Sequence, residues 1–153
     1  MTWDVEVKPS NIPGAGNGLF AIRDFTKGEV VCEYTGKVRN LLQMLNTKDK
    51  TYMMGGFGLN VHIDAMDCPE SMGRYINDPL NDALVNTFFN KLKDERKALV
   101  IATRDIQVCT LNREFEFHRS GRRFMRLTVN HIGECMLALA WKRAEKNFGS
   151  CLL

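Results

Sequence analysis

Asn11-Ile12-Pro13-Gly14-Ala15-Gly16-Asn17-Gly18 sets three glycines within five residues, at positions 14, 16 and 18. That density cannot be a helix or strand interior, because each glycine surrenders backbone entropy and packs no side chain. The run reads as a loop that needs unusual backbone angles or close approach to another group. Both flanks read as β structure. Val5 and Val7 alternate with polar neighbours before the loop, and Leu19-Phe20-Ala21-Ile22 follows it as a second strand. Glu29-Val30-Val31-Cys32-Glu33-Tyr34 makes a third, closed by Thr35-Gly36.

Further along, the leucines at 41, 42 and 45 suggest a short helix within residues 39–46. Tyr52-Met53-Met54 and Val61-His62-Ile63 read as strands around the glycines at 55–58. Arg74-Tyr75-Ile76-Asn77 is a compact segment that ends in a turn at Asp78-Pro79. Val85 to Phe89 is β-prone, Lys91 to Arg96 is a charged loop, and Ala98-Leu99-Val100-Ile101-Ala102-Thr103 is the clearest buried strand. Arg113-Glu114-Phe115-Glu116-Phe117 alternates as another strand, and Arg119 to Arg126 reads as a basic, solvated loop. Apolar residues at 136, 137, 140, 141, 144 and 148 have the spacing of an amphipathic helix over 136–148. Many short strands between glycine turns, with little helix before residue 130, predict a mostly β domain.

The 153 residues suit one domain, and 44% hydrophobic with 25% charged side chains is ordinary for a globular protein. No run of 18 apolar residues is present, so no membrane span is expected. The opening MTWDVEVKPS lacks the apolar segment of a signal peptide, which points to an intracellular, reducing compartment. Five widely spaced cysteines, with no CxxC pair, predict free thiols rather than a zinc framework or disulfides. His62, His118 and His131 have no partner at ligand spacing, so no metal is expected. Net charge is +3, but residues 1–107 sum to −1 and residues 108–153 to +4. The basic residues are scattered, which argues against direct nucleic-acid binding.

The motifs together resemble those of SET domains, the fold of the S-adenosylmethionine-dependent protein-lysine methyltransferases. Ile12 to Ala21, followed by Arg23-Asp24 and Lys27-Gly28-Glu29, resembles the family's opening motif. Glu33-Tyr34-Thr35-Gly36 is similar to its second element, and His62-Ile63-Asp64-Ala65 to the strand ahead of its third. Arg74-Tyr75-Ile76-Asn77-Asp78 resembles the third motif, usually RFINHS. Val100 to Ile106 looks like the strand and turn leading into the fourth. The resemblance divides the chain into a core at 1–107 and a divergent segment at 108–153. It implies a SET-domain fold of small sheets with a few short helices, S-adenosylmethionine as cofactor, and a protein lysine, often of a histone tail, as substrate. It also implies a nuclear setting, with the cytoplasm as the fallback; oligomeric state does not follow from it.

The same resemblance implies roles residue by residue. Gly16, Asn17, Gly18 and Leu19 match the loop whose backbone approaches the cofactor's methionine part. Asn77 matches the residue that bonds its amino end, and Asp78, where the family usually has His, the neighbour whose backbone meets the adenine. Arg74 and Tyr75 belong to the same cofactor motif with a mainly structural part, and Asn86 matches a further Asn. Tyr34 matches the tyrosine lining the lysine channel, the one catalytic candidate.

The match stops after Ile106. Family members continue with a Gly-Glu-Glu pair and an Asp-Tyr-Gly element whose tyrosine borders the methyl-transfer site and whose chain threads a pseudoknot. This sequence has no tyrosine after Tyr75, and a loose alignment puts Ser120-Gly121 there. A serine cannot replace a phenol, so a loss of at least about 10²-fold in rate is expected. Three origins stay open: a divergent working replacement, a non-catalytic SET-like interaction module, or a frame or splice change after about residue 107. Tyr52 and Tyr75 are the remaining phenols that a fold could bring to the site.

Overall fold

The computed structural model describes residues 2–108, 113–117, 123–127 and 136–137. Strands dominate them. In chain order they are β1 (Val5–Pro9), β2 (Asn17–Ala21), β3 (Val30–Tyr34), β4 (Lys37–Arg39), helix α1 (Leu41–Asn46), β5 (Met53–Met54), β6 (His62–Asp64), β7 (Thr87–Leu92), β8 (Lys97–Ala102), β9 (Arg113–Phe117) and β10 (Arg123–Leu127). Short 3-10 turns at Met72–Tyr75 and Asp82–Leu84 complete the set.

The strands form four small antiparallel sheets, β1-β2, β3-β8-β7, β4-β6-β5 and β9-β10. β8 is central in its sheet because its two-residue period buries Ala98, Val100 and Ala102 on one face. β3 pairs with it through an irregularity between Val30 and Cys32. β1 and β2 pair from Val5 opposite Ala21 to Pro9 opposite Asn17. Pro9, which has no N–H to give, closes that ladder at its end.

Two apolar clusters lie between the sheets. One gathers Leu19, Phe25, Val31, Ile76, Val100 and Leu137; the other gathers Tyr34, Met54, Phe57, Ile63, Ala65 and Ala98. Cys32 belongs to the first and is fully buried, so loss of hydration pushes its thiol pKa up, with the Glu33 charge adding to the effect. In native protein Cys32 should therefore resist a thiol-reactive dye and react only on unfolding, as peptide mapping of labelled protein would report.

Several sequence expectations shift. β2 begins inside the glycine run, at Asn17, because Gly18 is extended and pairs with Lys8. Gly14 and Gly16 carry the loop's strain, with φ of 75° and 70°. The helix starts at Leu41, since Asn40 and Gln43 form a reciprocal capping box, and it buries no residue. The basic stretch is not a loop throughout, because Arg123 to Arg126 lie in β10, paired with β9. The amphipathic helix does not begin at 136. Met136 instead bridges Phe20 in antiparallel fashion, and the rest of that stretch lies outside the described residues. The alignment of Ser120 and Gly121 lies outside them as well.

Candidate functional site

The glycine loop is held from three parts of the chain. Ser10 N–H donates to Gly16 O at 2.8 Å, Asn77 Nδ2 to Asn17 O at 3.1 Å, and Leu137 N–H to Leu19 O at 2.9 Å. Gly18 makes the second bond possible. A Cβ there would stand 3.1 Å from Asn77 Nδ2 and 3.2 Å from a Phe20 ring carbon. Gly16 is different: a Cβ there would meet nothing within 4 Å, so one flank of the loop opens onto free space. Asn77 Oδ1 takes no hydrogen bond from a described residue.

Asp78 follows Asn77 at the mouth of a tight turn. Its Oδ1 accepts the Leu80 N–H at 2.9 Å, and Leu80 itself is forced to φ 54°. Its Oδ2 is buried with no hydrogen-bond partner. Among the described residues His62 Nδ1 and Arg74 Nε share that condition.

Tyr34 ends β3 with no exposed surface. Its hydroxyl donates to the Tyr52 carbonyl, and its ring meets Phe89 edge-on at 5.5 Å. The turn at Met72–Tyr75 backs onto it. A Cβ on Gly73 would lie 3.0 Å from Tyr34 Cβ and 3.1 Å from Glu33 O, so only a glycine lets the two backbones pack this closely. Ser71 Oγ accepts the Thr35 N–H at 2.9 Å and fixes the chain leaving Tyr34. Arg74 Nη1 donates to Met66 O, and its guanidinium lies 4.1 Å from the Tyr52 ring centre and 5.2 Å from that of Tyr75. The three tyrosines of the chain are thus linked through one arginine and one carbonyl.

The residues singled out from sequence fall into two groups. Gly16, Asn17, Gly18 and Asn77 come together at the loop, while Asp78 turns away to close on Leu80. Leu19 contributes its carbonyl there while its side chain is fully buried in the core. Arg74 lies against the rings of Tyr52 and Tyr75, Tyr75 packs on the first apolar cluster and Tyr34 belongs to the second. Asn86, also singled out, is buried and donates from Nδ2 to Met136 O at 3.0 Å. Ser71, Gly73, Phe89 and Leu137 were not legible as site-forming residues, because each acts through contacts across the fold and none lies in a telling local pattern. Among the described residues, no three His, Cys, Asp or Glu side chains converge as a metal ion requires, and no helix is long and apolar enough to cross a membrane.

A family model described as the SET domain matches residues 16–110. Among solved structures, the chain is similar to ctPRC2 in an autoinhibited conformation bound to S-adenosylmethionine, with 22% identity and a TM-score of 0.56. That match covers 72% of this chain and 14% of the other. It is also similar to the methyltransferase domain of human PR domain-containing protein 2, at 22% identity and a TM-score of 0.51, over 70% and 72% of the two chains. A humanized mutant of the Chaetomium thermophilum Polycomb Repressive Complex 2 gives 21% identity and a TM-score of 0.55, over 70% of this chain and 14% of that one. At these identities the likeness is one of fold. No curated protein matches the sequence.

Proposed function

This chain belongs to the SET-domain family, and on that premise we propose that it binds S-adenosylmethionine beside the glycine loop and presents it to a protein lysine. The observation that carries the reading is the Asn77 amide seated on the Asn17 carbonyl in the gap that Gly18 leaves. It brings the third motif onto the first.

The residues present fit the cofactor. The open flank of Gly16 leaves room for a ligand against main chain, and Asn77 Oδ1 is an acceptor for its N–H groups. Bound there, S-adenosylmethionine would supply an electrophilic methyl group on its sulfonium. The work left to the protein is alignment and exclusion of water. Tyr34, whose hydroxyl donates to the Tyr52 carbonyl, is the catalytic candidate through its match to the tyrosine of the family's lysine channel. Tyr52 and Tyr75, both against the Arg74 guanidinium, are the phenols to test as substitutes for the C-terminal tyrosine that the sequence does not carry. Transfer to a histone tail in the nucleus is the form of the activity to look for first. A non-catalytic interaction module is the competing outcome.

Thermal unfolding with increasing S-adenosylmethionine tests the reading. Saturation to 100 times the dissociation constant should stabilise the native protein by about 2.7 kcal/mol, or roughly 5–11 °C for a domain of this size. Gly18→Ala, which must displace the Asn77 amide, should weaken binding by about tenfold, the equivalent of one lost hydrogen bond of about 1.4 kcal/mol. A melt indifferent to the cofactor would overturn the proposal. A shift without methyl transfer from labelled cofactor to histones would leave the binding module.

A further inference from the structure

We propose that helix α1 is a dimer contact, its exposed leucines meeting the same leucines of a second copy of this chain across a two-fold axis. The inference stands apart from the reading of the glycine loop as a cofactor site.

Helix α1 keeps its apolar side chains in water. Leu42 is 71% exposed, Leu45 59% and Leu41 42%, and the helix buries no residue. Leu42 and Leu45 stand three residues apart, Leu41 and Leu45 four, so the three share one face. Leu59 is fully exposed, and the next residue, Asn60, holds the start of the helix by accepting the Leu41 N–H on Oδ1 at 2.6 Å. That bond places Leu59 beside the first turn of α1. Six residues are about half the roughly 12–15 below which an isolated helix is marginal in water. This one is held by its ends: the Asn40–Gln43 capping box, and Thr47, whose N–H and hydroxyl both donate to Gln43 O. Neither end covers the leucines.

Charge and area say what does. The helix, Leu41-Leu42-Gln43-Met44-Leu45-Asn46, carries no acidic or basic residue. The cations just ahead of it, Lys37 and Arg39, are committed to Asp67 at 2.8 Å and Asp64 at 3.1 Å, and Lys48 and Lys50 come only after the C-cap, Thr47. A helix that lies on a membrane carries Lys or Arg along its polar face, and a charged partner needs opposite charge across from it. The α1 face offers neither, and a second copy needs neither. Across a two-fold axis the same patch meets itself, leucine against leucine, with no like charges opposed on the helix. Four exposed leucines around one short helix come within the roughly 300–600 Å² that marks an interaction patch on a monomer. Two such patches face to face, with their polar rims, reach the roughly 1,200 Å² at which specific interfaces begin. An interface at that lower end fits a dimer that forms in the micromolar range.

The test is sedimentation equilibrium of the full chain, in reductant so that no disulfide joins two copies, from about 1 to 100 µM. Wild type should pass from one copy to two across that range. Leu42→Glu and Leu45→Glu set carboxylates against each other in the contact, and each should weaken the dimer by about 100-fold or more. Leu84→Glu, at an exposed leucine of the 3-10 turn Asp82–Leu84, should leave it unchanged. In dilute protein the two α1 variants should melt with the wild type, because α1 buries no residue. Wild type that stays a monomer throughout overturns the inference, as does a mass that climbs past two copies without levelling. A dimer that survives both α1 variants, or that Leu84→Glu breaks as readily, lies elsewhere and overturns it too. Dilute Leu42→Glu that unfolds well below wild type does the same, by making Leu42 part of the fold.

Discussion

Replacing Leu137 with alanine should cost the domain about 2–5 kcal/mol, the range for a leucine deleted from a packed core. The melting temperature should fall by roughly 4–20 °C. Leu137 has no exposed surface and sits among Leu19, Val31, Val100 and Ile106. Its N–H is bonded to Leu19 O, its neighbour Met136 bridges Phe20, and the buried amide of Asn86 holds the Met136 carbonyl. Residue 137 lies 31 positions beyond the last recognisable motif, which ends at Ile106, in a stretch whose charge suggests a foreign origin. A segment foreign to the fold would leave Leu137 in solvent, and the alanine variant would then unfold with the wild type in thermal and urea melts. The contacts instead put Met136 and Leu137 beside the glycine loop, with Leu137 in the core. On this geometry Met136 and Leu137, which follow the β9-β10 pair in sequence, rejoin the fold.

The difference between what the sequence disclosed and what it hid follows from the range of the interactions. The β2, β3 and β8 strands were legible because their apolar runs are local, and the loop was legible because three glycines in five residues have few other uses. Asn77 and Gly18 were found through a family pattern that encodes their meeting. Leu137 could not be found that way. Its partners lie more than thirty residues away, and the helical spacing of 136, 140, 144 and 148 gave a local signal that the bridge to Phe20 overrides at its first residue. Asp78 was visible as a departure from the family pattern. Its contact with the Leu80 N–H was not, because that bond exists only in the folded turn.

Gly36→Ala should be as damaging as any single methyl added to this protein, although Gly36 lies in no glycine-rich loop. A Cβ at Gly36 would stand 2.6 Å from the Asp64 carbonyl carbon and 2.9 Å from Ala65 N. Both are backbone atoms, so no rotamer change relieves the clash. β4 pairs with β6 immediately beyond, with Lys37 opposite Asp64, and the Asp64 carboxylate is buried against Arg39 at 3.1 Å. Moving either strand disturbs that pair as well. Overpacking usually costs 1–3 kcal/mol where side chains can yield; with backbone on both sides about 3 kcal/mol or more is expected. Gly14→Ala is the control, because a Cβ there meets nothing within 4 Å and pays only for its φ of 75°, about 1–2 kcal/mol. The pair of urea midpoints separates crowding from backbone strain. Equal losses would mean that β4 and β6 have room to part. A larger loss at Gly36 ties the sheet to the site, since Gly36 stands two residues from Tyr34 and one from the Thr35 N–H held by Ser71. Tyr34, the proposed catalytic candidate, is then held in place partly by a glycine that lets two strands touch.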